Sequence, residues 1–280
     1  MKPIRFLVSD VDGTLVTPDK LVTRASVEAV ADLHGAGVGF AFVSSRPPKG
    51  LASIAQALGL DGDDDRPVAA AFNGGALLDA RLKPLSFTAL PMDDARAAIE
   101  HLASLAIDTW VFTLDTWFVT KPDGHYVAHE EHTVGFGPRV VASFDGITGI
   151  GKIVGSSADP ELLRRAEDTL ASKLSPAARA LRSQTYYLDV THADANKGAA
   201  LRAIAAHEGL ALDEIAAIGD MQNDLSMLEI AGLSIAMGNA PDEVKAATDV
   251  ATTSNRDEGF AIAVKDFVLP RARHAPSTRE

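Results

Sequence analysis

Five short apolar runs, Ile4–Val8, Val38–Val43, Val68–Phe72, Ile215–Ile218 and Leu233–Met237, alternate with stretches of helical period. A strand that is apolar at nearly every position has no face to give to water. Such strands, separated by helices, predict a parallel sheet covered on both sides. Thr23 reads as the N-cap of one of these helices, ending near Gly35, and another is predicted around Leu51–Leu58.

Each run ends on small or polar residues: Ser9-Asp10, Ser44-Ser45-Arg46, Asn73-Gly74-Gly75, Gly219-Asp220 and Gly238-Asn239. Loops are polar in general, which accounts for any one of these ends. The recurrence of carboxylates, hydroxyls and an amide accords better with one shared site beyond the carboxyl ends of the strands. The expected fold class is α/β, a doubly wound, Rossmann-like parallel-sheet core.

The pattern changes between Leu82 and Tyr187. Trp110–Leu114 and Trp117–Lys121 read as a hairpin, Ile150–Val154 and Leu181–Leu188 as further strands, and Asp93–Leu105 and Pro160–Leu174 as helices. This mixed order predicts an α+β module. The α/β pattern resumes after it, so the module is expected as an insertion: residues 1–81 and 188–280 form the core and 82–187 the inserted domain. The acidic run Asp61–Asp65 reads as a solvated turn, and the tail after Leu269 is expected to fray.

Among 280 residues, Asp and Glu number 38 against 26 Lys and Arg, a formal charge of −12. That surplus argues against non-specific nucleic-acid or anionic-membrane binding, and an anionic ligand would need positive charge gathered locally. The chain has no cysteine, which removes disulfides, thiolate zinc and cysteine nucleophiles from consideration. The apolar stretch behind Lys2 and Arg5 breaks at Ser9 and Asp10, too short for a signal peptide, and no run is long enough to span a bilayer. A cytoplasmic protein is expected.

The chemistry concentrates in "FLVSDVDGTLV", where Asp10 and Asp12 stand one residue apart at a strand end. Like charges that close disfavour each other, and a divalent cation would offset the repulsion. Asp10 is a candidate nucleophile, since a carboxylate can attack phosphorus to give an aspartyl-phosphate. Asp12 is a candidate general acid/base for the leaving alkoxide and the later water. Asp220 and Asp224, in "GDMQNDLSML", are hard oxygen donors suited to Mg²⁺. Lys197, in "ANKGAAL", is a point charge for a phosphate and the nucleophile. Ser44 and Ser45 offer hydroxyl and backbone N–H donors.

Together these motifs resemble the haloacid dehalogenase-like superfamily, and within it the Cof-type phosphatases of the IIB subgroup. "DVDGT" is intact, "SSR" at Ser44–Arg46 stands where Thr-Gly-Arg is usual, and "NKGAAL" and "GDMQND" follow in order. "FNGG" at Phe72–Gly75 is similar to the Asn-Gly-Ala segment before the cap. The resemblance implies that Asp10 is the nucleophile and Asp12 the acid/base. It implies magnesium on Asp10, the Asp12 carbonyl and Asp220, with Asp224 behind them or acting through water. Ser44, Lys197 and Asn223 would bind the phosphoryl group, and the inserted module would be the cap. Ser45 departs from the usual glycine, which bears on the local turn alone.

Other readings compete. Asp10 and Asp12 can form an Asx-turn, Asp220 and Asp224 can favour a helix N-terminus, and Lys197 can be solvated. Arg46 touches the ligand or braces a carboxylate. Asn73 is a turn residue or a substrate contact. His129 and His132 in "HEEH" lack zinc spacing and a third ligand, and a solvated loop is the better reading. Core packing is expected of at least one of Trp110 and Trp117, while an exposed ring would stack on a sugar. The expected function is a Mg²⁺-dependent phosphatase of small phosphorylated metabolites, sugar phosphates foremost. A sugar-phosphate phosphomutase and a non-catalytic ligand-binding regulator are the alternatives.

Overall fold

The structure is a computed structural model and describes residues 2–62 and 65–272. Asp63 and Asp64, the middle of the acidic run read as a turn, lie outside the described residues. So does the tail beyond Ala272; the residue Ala272 is described and bridges to Ile4. The chain forms two compact units. The first comprises Met1–Ser45, Ala52–Leu85 and Asn196–Glu280; the second comprises Arg46–Leu51 and Ser86–Ala195.

In chain order the strands are β1 (Phe6–Asp10), β2 (Gly39–Val43), β3 (Ala69–Ala71), β4 (Ala76–Leu78) and β5 (Pro84–Phe87), then β6 (Asp108–Thr113), β7 (Trp117–Val119), β8 (Arg139–Val140), β9 (Ile150–Ser156), β10 (Ala178–Gln184) and β11 (Tyr187–His192). The chain closes with β12 (Ile215–Gly219), β13 (Leu233–Ala236) and β14 (Val250–Ala251). The helices used below are α1 (Arg24–Gly35), α2 (Ala52–Ala57), α3 (Met92–Ser104), α4 (Val127–Val134), α5 (Pro160–Lys173), α6 (Lys197–Glu208) and α7 (Leu225–Leu228).

The sheet of the first unit has the order β14-β13-β12-β1-β2-β3-β4-β5. From β14 through β3 every pairing is parallel, as expected of its apolar strands. The chain steps outward from β1 through β2 to β3, then returns to β12 on the other side of β1. That reversal is a topological switch point, where the loops leaving neighbouring strands part and open a crevice. The sequence reading missed the antiparallel extension: β4 turns back along β3 after only four residues. Phe6 and Val8 of β1 pack with Leu201 and Ile204 of α6 in one core cluster. The two-residue period of the strand therefore carries Asp10 towards the α6 side of the sheet.

The second unit is a six-stranded sheet of order β10-β11-β9-β6-β7-β8. On one face Val111, Ile153, Leu188 and Val190 pack with Leu102 of α3 and with Leu163, Ala166 and Leu170 of α5. The alternate residues form the other face. There Trp110 meets Trp117 edge-on at 5.5 Å between centroids, and Trp117 stacks on Phe112 at 5.5 Å. Both tryptophans are buried, so the reading of an exposed sugar-stacking ring does not hold.

Three further expectations are corrected. Leu181–Leu188 is not one strand: β10 and β11 pair antiparallel across a turn at Thr185 and Tyr186. "HEEH" is not a loop but the middle of α4, held by inward-facing Val127, Glu130 and Val134. The expected limits of the inserted module, 82 and 187, also differ from those of the second unit. β5 belongs to the first sheet, while β11 and the residues to Ala195 belong to the second, joined by Arg46–Leu51.

Helix α1 starts as its sequence predicts. Thr23 is the N-cap, and its Oγ1 accepts from the Ser26 N–H at 3.1 Å and donates to Glu258 at 2.6 Å. Thr23→Ala should cost about 1 kcal/mol of stability, read as a lower urea midpoint, with no change in turnover.

Candidate active site

Asp10 ends β1, and Lys197 is the first residue of α6, whose N-cap Asn196 accepts from the Ala199 N–H at 2.9 Å. Because α6 covers the face towards which β1 turns Asp10, the Lys197 ammonium meets the carboxylate and donates to Asp10 Oδ1. It also donates to Asp224 Oδ1 at 2.6 Å. Lys197 and Asp224 are essentially excluded from solvent.

Asp220 and Asp224 flank the turn between β12 and α7. Asp224 Oδ2 accepts from the backbone N–H groups of Asp220 and Met221, both at 2.9 Å. The four-residue spacing lets the second carboxylate fold back onto the N–H of the first. Asp224 thereby fixes the turn that presents Asp220, while its other oxygen holds Lys197. Oxygens of Asp10, Asp220 and Asp224 lie within 4.8 Å of one another.

Three buried carboxylates face one ammonium, which leaves two negative charges without a counterion among these four groups. Burial pushes the Asp10 carboxyl well above the ordinary range; Lys197 pulls it back, and Asp224 and Asp220 push it up. Asp220 is pushed up to about 6, first by burial and next by Asp224. Burial also works against the Lys197 ammonium, yet Asp10 and Asp224 hold it above the usual lysine value. Asp10 Oδ2 is buried with no hydrogen-bond partner among the described residues. An unpartnered carboxylate oxygen beside Asp220, in a pocket short of two positive charges, fits a divalent cation bound by hard oxygen ligands. Asp10 and Asp220 are the residues that can hold it.

The remaining predicted residues divide. Asp12 does not join the three-aspartate cluster; its Oδ1 accepts from Lys20 Nζ at 2.8 Å. Ser44 is buried at the end of β2, and Ser45 beside it is half-buried. Asn73 serves as a turn residue: Phe72, Asn73 and Gly74 take φ of 52°, 58° and 106°. The Asn73 N–H donates to the Ser44 carbonyl at 2.8 Å, tying the end of β3 to that of β2. Its side chain reaches Asn223, whose Nδ2 donates to Asn73 Oδ1 at 3.3 Å. Arg46 is buried in the second unit, where its charge acts on the buried Glu130 carboxylate.

Two residues at the site had received no role. Thr14 Oγ1 donates to Asp220 Oδ1 at 3.4 Å. Asn239 Nδ2 lies 3.0 Å from Asp220 Oδ2 and 2.9 Å from the Gly13 carbonyl. Thr14 sits inside "DVDGT" and Asn239 at a polar strand end, so position alone could have proposed both. Gly13 has a φ of 91°, and a Cβ there would fall on the Asp220 carboxylate. Only glycine lets the first loop pass so close to that aspartate.

Comparison with known proteins gives the family of the chain. The sequence pattern of the haloacid dehalogenase-like hydrolases matches residues 7–264, and the chain belongs to that family. It is therefore a hydrolase. A putative phosphatase of Haemophilus influenzae is 29% identical over 94% of this chain and 97% of its own length. The 5-amino-6-(5-phospho-D-ribitylamino)uracil phosphatase YwtE of Bacillus subtilis is 28% identical over 95% and 98%. The crystal structure of a haloacid dehalogenase-like hydrolase from Bacteroides thetaiotaomicron superposes with a TM-score of 0.86 at 25% identity, covering 94% of this chain and 98% of that one. Among the described residues no helix is long and apolar enough to cross a membrane.

Raised carboxyl pKa values mean that the metal-free fold is penalised by the charged forms of Asp10 and Asp220. Their protonated forms are favoured at low pH, and that contribution is lost as pH rises, for Asp220 through about 6. Metal binding needs the carboxylates. Added Mg²⁺ should therefore raise the melting temperature more at about pH 7.5 than at about pH 5, where protons compete. Thermal denaturation of chelator-treated protein, with and without Mg²⁺ at both pH values, checks this.

Proposed function

We propose that the chain is a Mg²⁺-dependent phosphatase of small phosphorylated metabolites, with sugar and polyol phosphates as its substrate class, working through an aspartyl-phosphate on Asp10. The observation that carries this reading is the buried group of Asp10, Asp220 and Asp224 around Lys197, which lacks two positive charges. The phosphatase names of full-length relatives support the reaction class. The relative named for a phosphoribityl compound supports the choice of polyol phosphates.

In this reading the Asp10 carboxylate attacks phosphorus, and the bond from phosphorus to the leaving oxygen breaks. Asp12 gives its proton to that oxygen. Water then attacks the aspartyl-phosphate while Asp12 takes up its proton, releasing phosphate and restoring Asp10. Lys197 offsets charge on the phosphoryl oxygens and keeps Asp10 oriented. Ser44, the Ser45 N–H and Asn223 bind the same oxygens, with Asn73 steadying Asn223. Asp10, Asp220 and the Asp12 carbonyl hold the Mg²⁺. Asp224 has its oxygens committed to Lys197 and the turn, so it acts behind them. The ion supplies charge neutralisation for the phosphoryl group.

The second unit is the cap that reads the leaving group. Its sheet carries a buried Lys152–Asp189 pair at 3.5 Å, with Asp189 Oδ1 lacking a hydrogen-bond partner among the described residues. Burial raises the nearby Glu130 carboxyl, opposed by Lys152. Such partly satisfied polar groups suit the hydroxyls of a polyol.

Asp10→Asn should fold normally and lose about a thousandfold or more in turnover, because an amide cannot form the acyl-phosphate. Hydrolysis of p-nitrophenyl phosphate by the purified variant decides this. Chelation should abolish the wild-type activity and Mg²⁺ restore it. Asp189→Asn keeps the volume and removes a charge. It should change the ranking of sugar phosphates by about tenfold in kcat/KM while p-nitrophenyl phosphate moves less than about threefold. A substrate panel measured on both proteins provides the comparison.

A further inference from the structure

Lys20 belongs to none of the motifs of the site, yet its ammonium reaches Asp12. The separation of Lys20 Nζ from Asp12 Oδ1 is 2.8 Å, and both side chains are about two-thirds buried, with exposures of 32% and 29%. Exposed ion pairs contribute little, and a lysine at a protein surface is usually solvated. This one is delivered by a dedicated turn. Val16 bridges to Asp12 on one side and to Val22 on the other. The Thr17 N–H donates to the Leu21 carbonyl at 2.9 Å, and the Lys20 N–H donates to the Thr17 carbonyl at 2.9 Å. The base of the turn is anchored by buried Leu15 and Val16, and Asn255 Nδ2 donates to the Val16 carbonyl at 2.9 Å.

At the tip Lys20 has a φ of 64°. Glycine or asparagine adopts that backbone more readily, whereas a long side chain is disfavoured there. The conformation sends the side chain back towards Asp12. The turn thus tolerates an unfavourable backbone and holds a flexible ammonium against the second aspartate.

We infer that Lys20 is a positioning residue for Asp12, holding its carboxyl in the direction from which a proton passes to the leaving oxygen. The inference rests on the role of Asp12 in the proposed function. As the bond from phosphorus to the leaving oxygen breaks, the Asp12 proton moves to that oxygen and Asp12 becomes a carboxylate. The water that cleaves the aspartyl-phosphate later returns a proton to it. An unrestrained aspartate side chain rotates about two bonds, and proton transfer depends on its aim. Lys20 restricts that freedom through its bond to Asp12 Oδ1.

The test compares phenyl phosphate with p-nitrophenyl phosphate at one pH in saturating Mg²⁺. The two esters are nearly alike in size, but nitrophenolate leaves without a proton far more readily than phenolate. The ratio of their kcat/KM values therefore reads proton delivery up to loss of the leaving group. Lys20→Met should lower kcat/KM for phenyl phosphate about tenfold and for p-nitrophenyl phosphate less than about threefold. Lys20→Gly, which relaxes the backbone but lacks the ammonium, should behave like Lys20→Met. Lys20→Arg should fall between Lys20→Met and the wild type. Equal losses on both esters, a Lys20→Gly enzyme like wild type, or no loss at all would overturn the inference. Asp12→Asn separates the two levels of the argument. If it discriminates strongly between the esters while the Lys20 variants do not, the positioning role alone fails. If Asp12→Asn affects both esters equally, the acid role of Asp12 fails and the inference falls with it.

Discussion

A buried ammonium between buried carboxylates is the contact on which the rest of the first unit depends. Lys197 is placed where a lysine is poorly suited, at the first turn of α6, where the helix dipole favours negative charge. It is also almost wholly withdrawn from water. Both costs are offset by its bonds to Asp10 and Asp224. The dependence runs in the other direction as well. Truncating one partner of such a pair strands the other charge in a poorly solvating interior. The phase of β1, the start of α6 and the turn after β12 all serve to bring these three groups together.

Around that contact the structure restricts motion. Thr14 and Asn239 bond to Asp220, Asp224 bonds to the turn that carries it, and Asn239 also holds the loop at Gly13. Groups fixed in advance need no reorganisation when charge moves during a reaction. The left-handed stretch at Phe72–Gly74 belongs to the same arrangement. Phe72 and Asn73 lie in a region that residues with a Cβ seldom adopt, and the segment ties two strand ends together. Strain of this kind persists where the surrounding packing and hydrogen bonds enforce it.

The second unit is built on a different plan. One face of its sheet is an ordinary apolar core against α3 and α5. The other mixes stacked aromatic rings with buried Lys152, Asp189 and Glu130. Buried polar groups that are incompletely paired add little to stability and are commonly retained for what they bind or specify. A buried carboxylate cluster in one unit and a polar sheet face in the other accord with the proposed separation of chemistry from substrate reading.

Much of this was legible in the amino-acid order because its causes are local. Unbroken apolar runs need two covered faces, and Thr23 begins α1 through a bond three residues away. Asp10, Asp220 and Lys197 announce themselves by standing at a strand end or a helix start. Other features escaped for equally physical reasons. The strand character of Ala178–His192 continues through a turn with no glycine, proline or asparagine to mark it, so a hairpin read as one strand. The buried Glu130 interrupts the apolar period of α4, so that helix read as a loop. The sequence by itself determined the parallel sheet, its strand ends and the residue types available there. Only tertiary structure decided that Lys197 joins Asp10 to Asp224, that Asn239 steadies Asp220 and that Lys20 takes hold of Asp12. The first two pairings depend on sheet order and strand phase, which arise when separate segments pack; the third depends on a local chain reversal whose left-handed tip at Lys20 no glycine or asparagine marks.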